Sequence, residues 1–181
     1  DVVWKSHGRT ISNGEIKYIY DTLNTSSEID VLNYNFTTIE KLYQTLKNEI
    51  ETLKSNGFDP KTIFIPLDIK TEFRLLLIRS PAEFSDWSIF QRFNIIHSWK
   101  GHEFDNIIII DQNAGQWIYK TMPSSNERLF TEITEYPVDP LNVDCTISTI
   151  FSFKMLNPRG IKIIKISDFQ KKESEQVREN S

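Results

Sequence analysis

The sequence predicts an α+β fold in which two amphipathic helices pack on a mixed, mainly antiparallel sheet. Three observations indicate this class. Apolar residues recur at spacings of three and four between positions 37 and 57, Ile107 begins a run of four isoleucines, and Cys145 to Met155 alternates apolar and polar side chains. The first pattern is typical of a helix with one buried face, and the other two are typical of strands.

Composition narrows the classes of protein that the chain can form. With 181 residues, 39% apolar and 25% charged, the chain can build one substantial core or a core with a lobe. The net charge is −4 and the basic residues are scattered, so we expect no sequence-specific nucleic-acid partner. No apolar run approaches the roughly 20 residues that cross a bilayer, so we expect no membrane partner. A single cysteine, Cys145, excludes an internal disulfide framework and favours buried packing for that residue.

The N-terminal part contains a predicted hairpin and the clearest helix. Asn13-Gly14 lies between two short apolar runs and is the pair that best tolerates a tight hairpin turn. The helix follows from Thr37, with Glu40 completing a capping box and Asn56-Gly57 closing the other end. Its buried face is formed by Ile39, Leu42, Leu46, Ile50 and Leu53.

A strand and a second helix come next. "KTIFIPL" predicts a short buried strand that ends at Pro66, because proline cannot donate to a sheet ladder. In "LDIKTEFRLLL", Asp68 can cap a helix. The apolar side of this helix is Ile69, Phe73, Leu76 and Leu77. From Arg79 to Gln91 the pattern is irregular and predicts an excursion or the tip of a lobe.

Three strands are predicted in the following third of the chain. They are "RFNIIHSW", "DNIIIIDQ" and "GQWIYKTM", and the second is apolar on both faces, which predicts a central position in the sheet. "RLFTEITEY" alternates only approximately. Cys145 to Met155 predicts one long strand, Asn157 to Gly160 a turn, and "IKIIKI" the returning strand of the pair. Residues 168–181 form a polar tail that we expect to be disordered.

The best candidate for chemistry is the segment "HSWKGHEFD". Imidazoles and carboxylates at this spacing could hold a divalent metal ion and activate water. The residues concerned are His97, His102, Glu103, Asp105 and Asp111. A metal-dependent hydrolase or nuclease is therefore an alternative hypothesis, although a polar turn that places His102 in a surface hairpin is the commoner explanation.

No other pattern points to a reaction or a ligand. The sequence has no glycine-rich phosphate loop, nucleophile elbow or paired cysteines, so we expect no catalytic, cofactor-binding or metal-binding residues. A group of aromatic residues could be interpreted as a platform for stacking bases, but core or subunit interface is the commoner role. These residues are Phe84, Trp87, Phe90, Trp99, Phe104 and Trp117.

The order of these elements resembles a known family. "TISTIFSFKMLNPRGIKIIKI" closely resembles the C-terminal strand pair of tailed-phage major capsid proteins of the Hong Kong 97 type and of encapsulins. The segment from Ile39 to Leu76 is similar to the peripheral-domain helix of that family with its following strand and helix. The segment from Phe93 to Thr121 looks like the strands that lead into the final sheet.

The resemblance implies a non-enzymatic shell protein that self-assembles into an icosahedral capsid or encapsulin-like particle. Its partner is then itself, with cargo protein or genome inside, in a virion or cytoplasmic particle. The whole chain is expected to form one shell-type unit, with 12–78 and 143–167 peripheral-domain-like and 79–142 axial-domain-like. The lobe that gathers at symmetry axes would contain four candidate assembly residues: Ser80, Glu83, Asp86 and Trp87.

One part of the family pattern has no counterpart in this sequence. The N-terminal arm, the extended loop and most of the spine helix are missing from the alignment, which leaves three explanations open: a proteolytic fragment, a deliberately shortened chain, or a remnant that no longer assembles. A non-assembling binding domain derived from the shell fold is the second alternative hypothesis.

Overall fold

The computed structural model describes residues 4–6, 9–11, 13–34, 36–80, 88–119, 130–135, 143–148 and 151–166. These residues fall into two compact units, the first within Asp1–Ala114 and Leu156–Ser181 and the second within Gly115–Met155. The described helices all belong to the first unit: α1 Asn13–Asn24, α2 Ile39–Ser55, α3 Leu67–Arg79 and the short α4 Ile89–Arg92. None of these helices combines the length and apolar character needed to span a membrane.

The first unit is built on a five-stranded mixed sheet. Its strands are β3 Asp30–Asn33, β4 Pro60–Ile65, β5 Asn94–His97, β6 Asn106–Asp111 and β11 Ile161–Lys165. They lie in the order β3-β11-β6-β4-β5, with β3 parallel to β11, β5 parallel to β4, and β6 antiparallel to both of its neighbours. A separate antiparallel pair joins β1 Trp4–Ser6 to β2 Arg9–Ile11.

The described part of the second unit consists of two antiparallel strand pairs. β7 Gly115–Tyr119 pairs with β10 Phe151–Met155, and β8 Phe130–Glu135 pairs with β9 Val143–Ser148. Five of the seven strand pairings in the described residues are therefore antiparallel. The predicted class, α+β with a mixed and mainly antiparallel sheet, is confirmed.

Helices cover both faces of the central sheet, which explains the four successive isoleucines of β6. Ile107 and Ile109 belong to the core that α2 and α3 form on one face. On the other face, Phe64 lies opposite Ile108 in the sheet, and its ring is 6.0 Å from the ring of Tyr20 in α1. A central strand with no solvent-exposed face has no polar position, so the alternation disappears.

The predicted hairpin at Asn13-Gly14 is wrong, because this pair opens α1. The buried residues of α1 are Ile16, Ile19, Tyr20 and Leu23, which follow the spacing of a helix with one apolar face. The turn preference of two residues was therefore outweighed by the packing of a whole helical face.

The predicted N-cap residue is wrong for both α2 and α3. The cap of α2 is Thr38 and not Thr37, since the hydroxyl oxygen of Thr38 accepts a hydrogen bond from the backbone N–H of Lys41. In α3, Asp68 lies inside the first turn, and the residue at the cap position is Pro66, which supplies no side-chain hydrogen bond. The predicted end of α2 is confirmed: Gly57 has a φ of +86°, a conformation that favours glycine.

Ser98 takes the role that Asp68 was expected to have. Its hydroxyl oxygen accepts a hydrogen bond of 2.9 Å from the backbone N–H of Leu67, the first residue of α3, and Ser98 is only 1% exposed. The cap thus comes from the segment after β5, which lies 31 residues further along the chain.

We expect Ser98→Ala to lower the free energy of unfolding by about 1 kcal/mol, because the backbone N–H at the start of α3 would lose the hydroxyl oxygen that accepts its hydrogen bond. Urea denaturation followed by circular dichroism measures the change. Ser55→Ala removes an exposed hydroxyl at the end of α2 and is the matched control, with an expected change within about 0.5 kcal/mol. Equal effects of the two variants would contradict the capping role of Ser98.

The C-terminal strands differ from the prediction in their partners. The alternating segment is described as two strands, β9 up to Ser148 and β10 from Phe151, which pair with different strands, and residues 149 and 150 lie outside the described residues. The predicted turn is present as a short 3₁₀ segment at Pro158–Gly160, but β11 pairs with β3 and β6 instead of with β10. Alternation reports which faces are buried and not which strand is the neighbour. The predicted polar tail at 168–181 lies outside the described residues.

Candidate functional site

The residues of the predicted metal site lie at two opposite ends of the central sheet. His97 ends β5 and Asp105 directly precedes β6, which places both at the end of the sheet where β4 finishes. Asp111 ends β6 beside Pro60, the first residue of β4. Since β6 has six residues, roughly 20 Å separates Asp111 from the others. The described part of the chain, which includes all of these residues, contains no group of three or more possible metal ligands. These residues therefore do not form the metal site that the hydrolase or nuclease hypothesis requires.

Asp111 has a structural role instead. Its carboxylate accepts hydrogen bonds from the backbone N–H of Asp59, just before β4, and of Asn113, just after β6. The side chain is only 6% exposed, and a carbon atom added at Gly160 would lie 3.0 Å from its Cβ. Through these two hydrogen bonds, Asp111 holds the segment before β4 and the segment after β6 together at one end of the sheet.

The predicted turn is present between Trp99 and His102, but the prediction that it joins β5 and β6 as a surface hairpin is wrong. β5 and β6 do not pair, because β4 lies between them, and the segment Ser98–Asp105 has to cross over β4. We call this segment the connector. It turns through a small antiparallel bridge between Trp99 and His102, with Gly101 at a φ of +90°. His102 is 9% exposed and therefore buried.

The connector is held against α1 by four rings, which we call the connector cluster: Tyr20, Trp99, His102 and Phe104. Tyr20 and Phe104 stack with ring centroids 4.1 Å apart, and the His102 ring lies 5.1 Å from Trp99 and 5.7 Å from Tyr20. Phe104 is 2% exposed. The prediction that aromatic residues form core is confirmed for Phe104, whereas Phe84 and Trp87 lie outside the described residues.

The Tyr20 hydroxyl adds a polar contact under this cluster. Its oxygen accepts hydrogen bonds of 2.9 Å and 3.0 Å from the backbone N–H groups of Asp105 and Asn106. Burial raises the pKa of Tyr20 to about 12, and the two N–H donors oppose this shift. The phenol therefore stays neutral throughout the physiological range, and it positions the first residues of β6.

His102 is next to a charged pair on α1. Its Nε2 atom lies 3.7 Å from a carboxylate oxygen of Asp21, and the other oxygen of Asp21 is 3.1 Å from Lys17 Nζ. A separation of 3.7 Å is too long for a hydrogen bond, and Nε2 is buried without a hydrogen-bond partner. Burial lowers the pKa of His102, while Asp21 opposes this shift. The arrangement can take up a proton, and the one hydroxyl of the connector cluster, on Tyr20, already accepts hydrogen bonds from two backbone N–H groups.

The predicted assembly residues can be placed only in part. Ser80 follows α3, where its backbone N–H donates to the carbonyl oxygen of Leu76 at 3.0 Å. Glu83, Asp86 and Trp87 lie outside the described residues. One residue that the sequence analysis missed lies close to Ser80: Ile78 is 74% exposed, although it is a large apolar side chain. Its position off the apolar stripe of α3 was the available signal.

The sequence on its own matches no protein-family model and no curated protein. Its structure does resemble solved structures. One is a virus-like particle from Pyrococcus furiosus, with a TM-score of 0.53, 11% identity, and coverage of 84% of this chain and 61% of that chain. Another is the capsid of the cyanophage P-SCSP1u, with a TM-score of 0.53, 11% identity, and coverage of 83% and 59%.

A third similar structure comes from Mycobacterium phage Che8, with a TM-score of 0.54, 11% identity, and coverage of 82% of this chain and 56% of that chain. The chain therefore spans about three fifths of the length of the structures that it matches. At this identity the likeness shows the fold, which is a capsid-type α+β fold.

Proposed function

We propose that this chain is a structural shell subunit that self-assembles into an icosahedral capsid or an encapsulin-like particle. The observation that carries the proposal is the fold shared with a virus-like particle and a cyanophage capsid at TM-scores of 0.53. The proposed partner is the chain itself, with cargo protein or genome inside the particle. The place of action is then a virion or a cytoplasmic particle, and the role is not enzymatic.

The architecture of the first unit supports this role. Helices cover both faces of the sheet at its central strand β6, whereas the outer strand β3 is largely exposed. Among the described strands, the two outer ones, β3 and β5, each pair on one side only. Unpaired strand edges and exposed helix ends are surfaces that a neighbouring copy can use. Closed symmetry lets such contacts add up to a stable container even where each one is weak.

The proposal also assigns regions to the two parts of a shell subunit. Residues 12–78 and 143–167 would be peripheral-domain-like and 79–142 axial-domain-like, all in one shell-type unit. The axial lobe would carry Ser80, Glu83, Asp86 and Trp87 as assembly residues. Because α3 leads directly into this segment, the exposed side chain of Ile78 would lie next to the contact between copies.

Particle size is the first test of the proposal. Light scattering and negative-stain microscopy on the longest version of the protein that its source encodes should detect large closed particles. A monodisperse monomer of that version would overturn the shell function and favour a binding domain derived from the shell fold.

We expect Ile78→Lys to prevent assembly at subunit concentrations where the unchanged protein forms particles. A lysine ammonium buried in a subunit contact without a partner opposes the contact. The folded subunit should keep its stability within about 0.5 kcal/mol, because position 78 is exposed. Thr71→Lys, two helical turns earlier on the exposed side of α3, is the matched control and should leave assembly intact. Normal particles from Ile78→Lys would exclude this contact.

A further inference from the structure

His102 is the one titratable side chain inside the connector cluster whose charge can change near neutral pH. Its Nε2 atom is shielded from solvent and lacks a hydrogen-bond partner, and its ring contacts Tyr20, Trp99 and Phe104. This side of the connector is therefore built around a neutral imidazole. A positively charged ring in the same place would leave a buried N–H donor without an acceptor.

The charged groups that face His102 cannot supply that acceptor as they stand. From α1, Asp21 is 3.7 Å away, is half exposed, and is already paired with Lys17. Glu103 and Asp105 of the connector attract a positive charge on His102. Lys17 of α1 repels it. Tyr20 stays neutral, as described above. Taken together these groups do not offset the cost of burial, and the pKa of His102 is lowered from its ordinary value.

We propose that His102 is an acid-operated latch: when the imidazole takes up a proton, the connector cluster opens and the connector separates from α1. The contacts that would be lost first are the two that the connector makes around this ring. They are the Trp99–His102 bridge and the hydrogen bonds from Asp105 and Asn106 to the Tyr20 hydroxyl. The latch does not rest on the proposed function, since every contact that it uses lies within one chain.

The sign of the effect follows from proton linkage. An exposed histidine has a pKa of about 6.5, and the closed form binds its proton less readily. Below about pH 6.5 the open form therefore holds a proton that the closed form lacks. Each unit by which the pH falls further raises the ratio of open to closed form by up to about tenfold. The closed form has its full stability above that pH, and the loss levels off below the lowered pKa of the closed form.

Hydrogen exchange on the full 181-residue chain between pH 7.5 and 5.5 tests the latch. After correction for intrinsic exchange rates, protection of the amides of His102, Asp105 and Asn106 should fall by up to about tenfold below pH 6.5. Amides of Ile63 and Ile109, which pair in the centre of the sheet, should keep their protection. Unchanged protection at Asp105 and Asn106 would overturn the proposal.

Two variants and one direct titration complete the test. His102→Phe keeps an aromatic ring and should remove the pH dependence of exchange, whereas His97→Gln, at the end of β5, should retain it. Because a variant can fail to fold, NMR titration of the unchanged protein provides an independent measurement. The His102 ring should titrate below pH 6.5, and the Tyr20 and Trp99 signals should shift with it. Titration at or above 6.5, or a pH dependence that His97→Gln removes, would contradict the latch.

Discussion

Replacing Tyr20 by alanine is expected to lower the free energy of unfolding by about 4 kcal/mol, the largest effect of any substitution considered for this chain. Tyr20 is only 2% exposed, its ring stacks on Phe104 at 4.1 Å, and it lies 6.0 Å from Phe64 on the sheet. Removing the ring therefore leaves a cavity between α1 and the sheet. It also removes the acceptor for two backbone N–H groups. Urea denaturation gives the change directly.

The Tyr20→Phe variant separates the hydroxyl from the ring. It keeps the stacking and removes only the oxygen that Asp105 and Asn106 contact, so we expect a loss of about 2 kcal/mol. Tyr34→Phe is the matched control, because its hydroxyl donates to Glu49 at the surface and its removal should change stability by less than about 0.5 kcal/mol. If the two Tyr→Phe variants were equally stable, the hydroxyl of Tyr20 would not support β6.

The second large effect is expected at the opposite end of the sheet. Asp111→Ala should lower the free energy of unfolding by about 3 kcal/mol, because the backbone N–H groups of Asp59 and Asn113 would both lose a carboxylate acceptor whose residue is itself only 6% exposed. The substitution acts where β4 begins and β6 ends, so local exchange of these two amides should rise together with the loss of global stability. Denaturation and hydrogen exchange measure the two effects.

Asp105→Ala provides the comparison for Asp111. Asp105 flanks the other end of β6 and is exposed, so its replacement should change stability by less than about 0.5 kcal/mol. Asp111→Asn keeps one oxygen and should fall between the other two variants. A loss at Asp105 that equals the loss at Asp111 would mean that carboxylates near β6 act through charge alone, and not through the two hydrogen bonds.

Local sequence patterns predicted most elements but few of their partners. The spacing of Leu42, Leu46 and Ile50 indicated α2, and the isoleucines of β6 correctly indicated a central strand, because both patterns report burial within one element. α1 was missed. Its four buried residues have the same helical spacing, but Asn13-Gly14 drew attention to a turn, and a weak local preference yields to the packing of a helical face.

The candidate metal site also shows that local sequence patterns do not identify which residues are neighbours in space. His97, His102, Asp105 and Asp111 are close in sequence, and this closeness suggested a shared metal site. A six-residue strand places Asp111 at the far end of the sheet, and the crossover over β4 buries His102 against α1. The relevant neighbours of His102 are Tyr20 and Asp21, about 80 positions earlier, and no spacing rule connects residues so far apart.

The sequence by itself determined the α+β class, the end of β4 before Pro66, the end of α2 at Gly57 and the burial of β6 on both faces. These features depend on the period of apolar residues and on the conformations that glycine and proline allow. Only the tertiary structure decided that β4 separates β5 from β6, that Ser98 caps α3, and that Tyr20 supports the start of β6. These contacts join segments that are far apart along the chain. Which segments become neighbours depends on which surfaces fit together once the helices pack on the sheet.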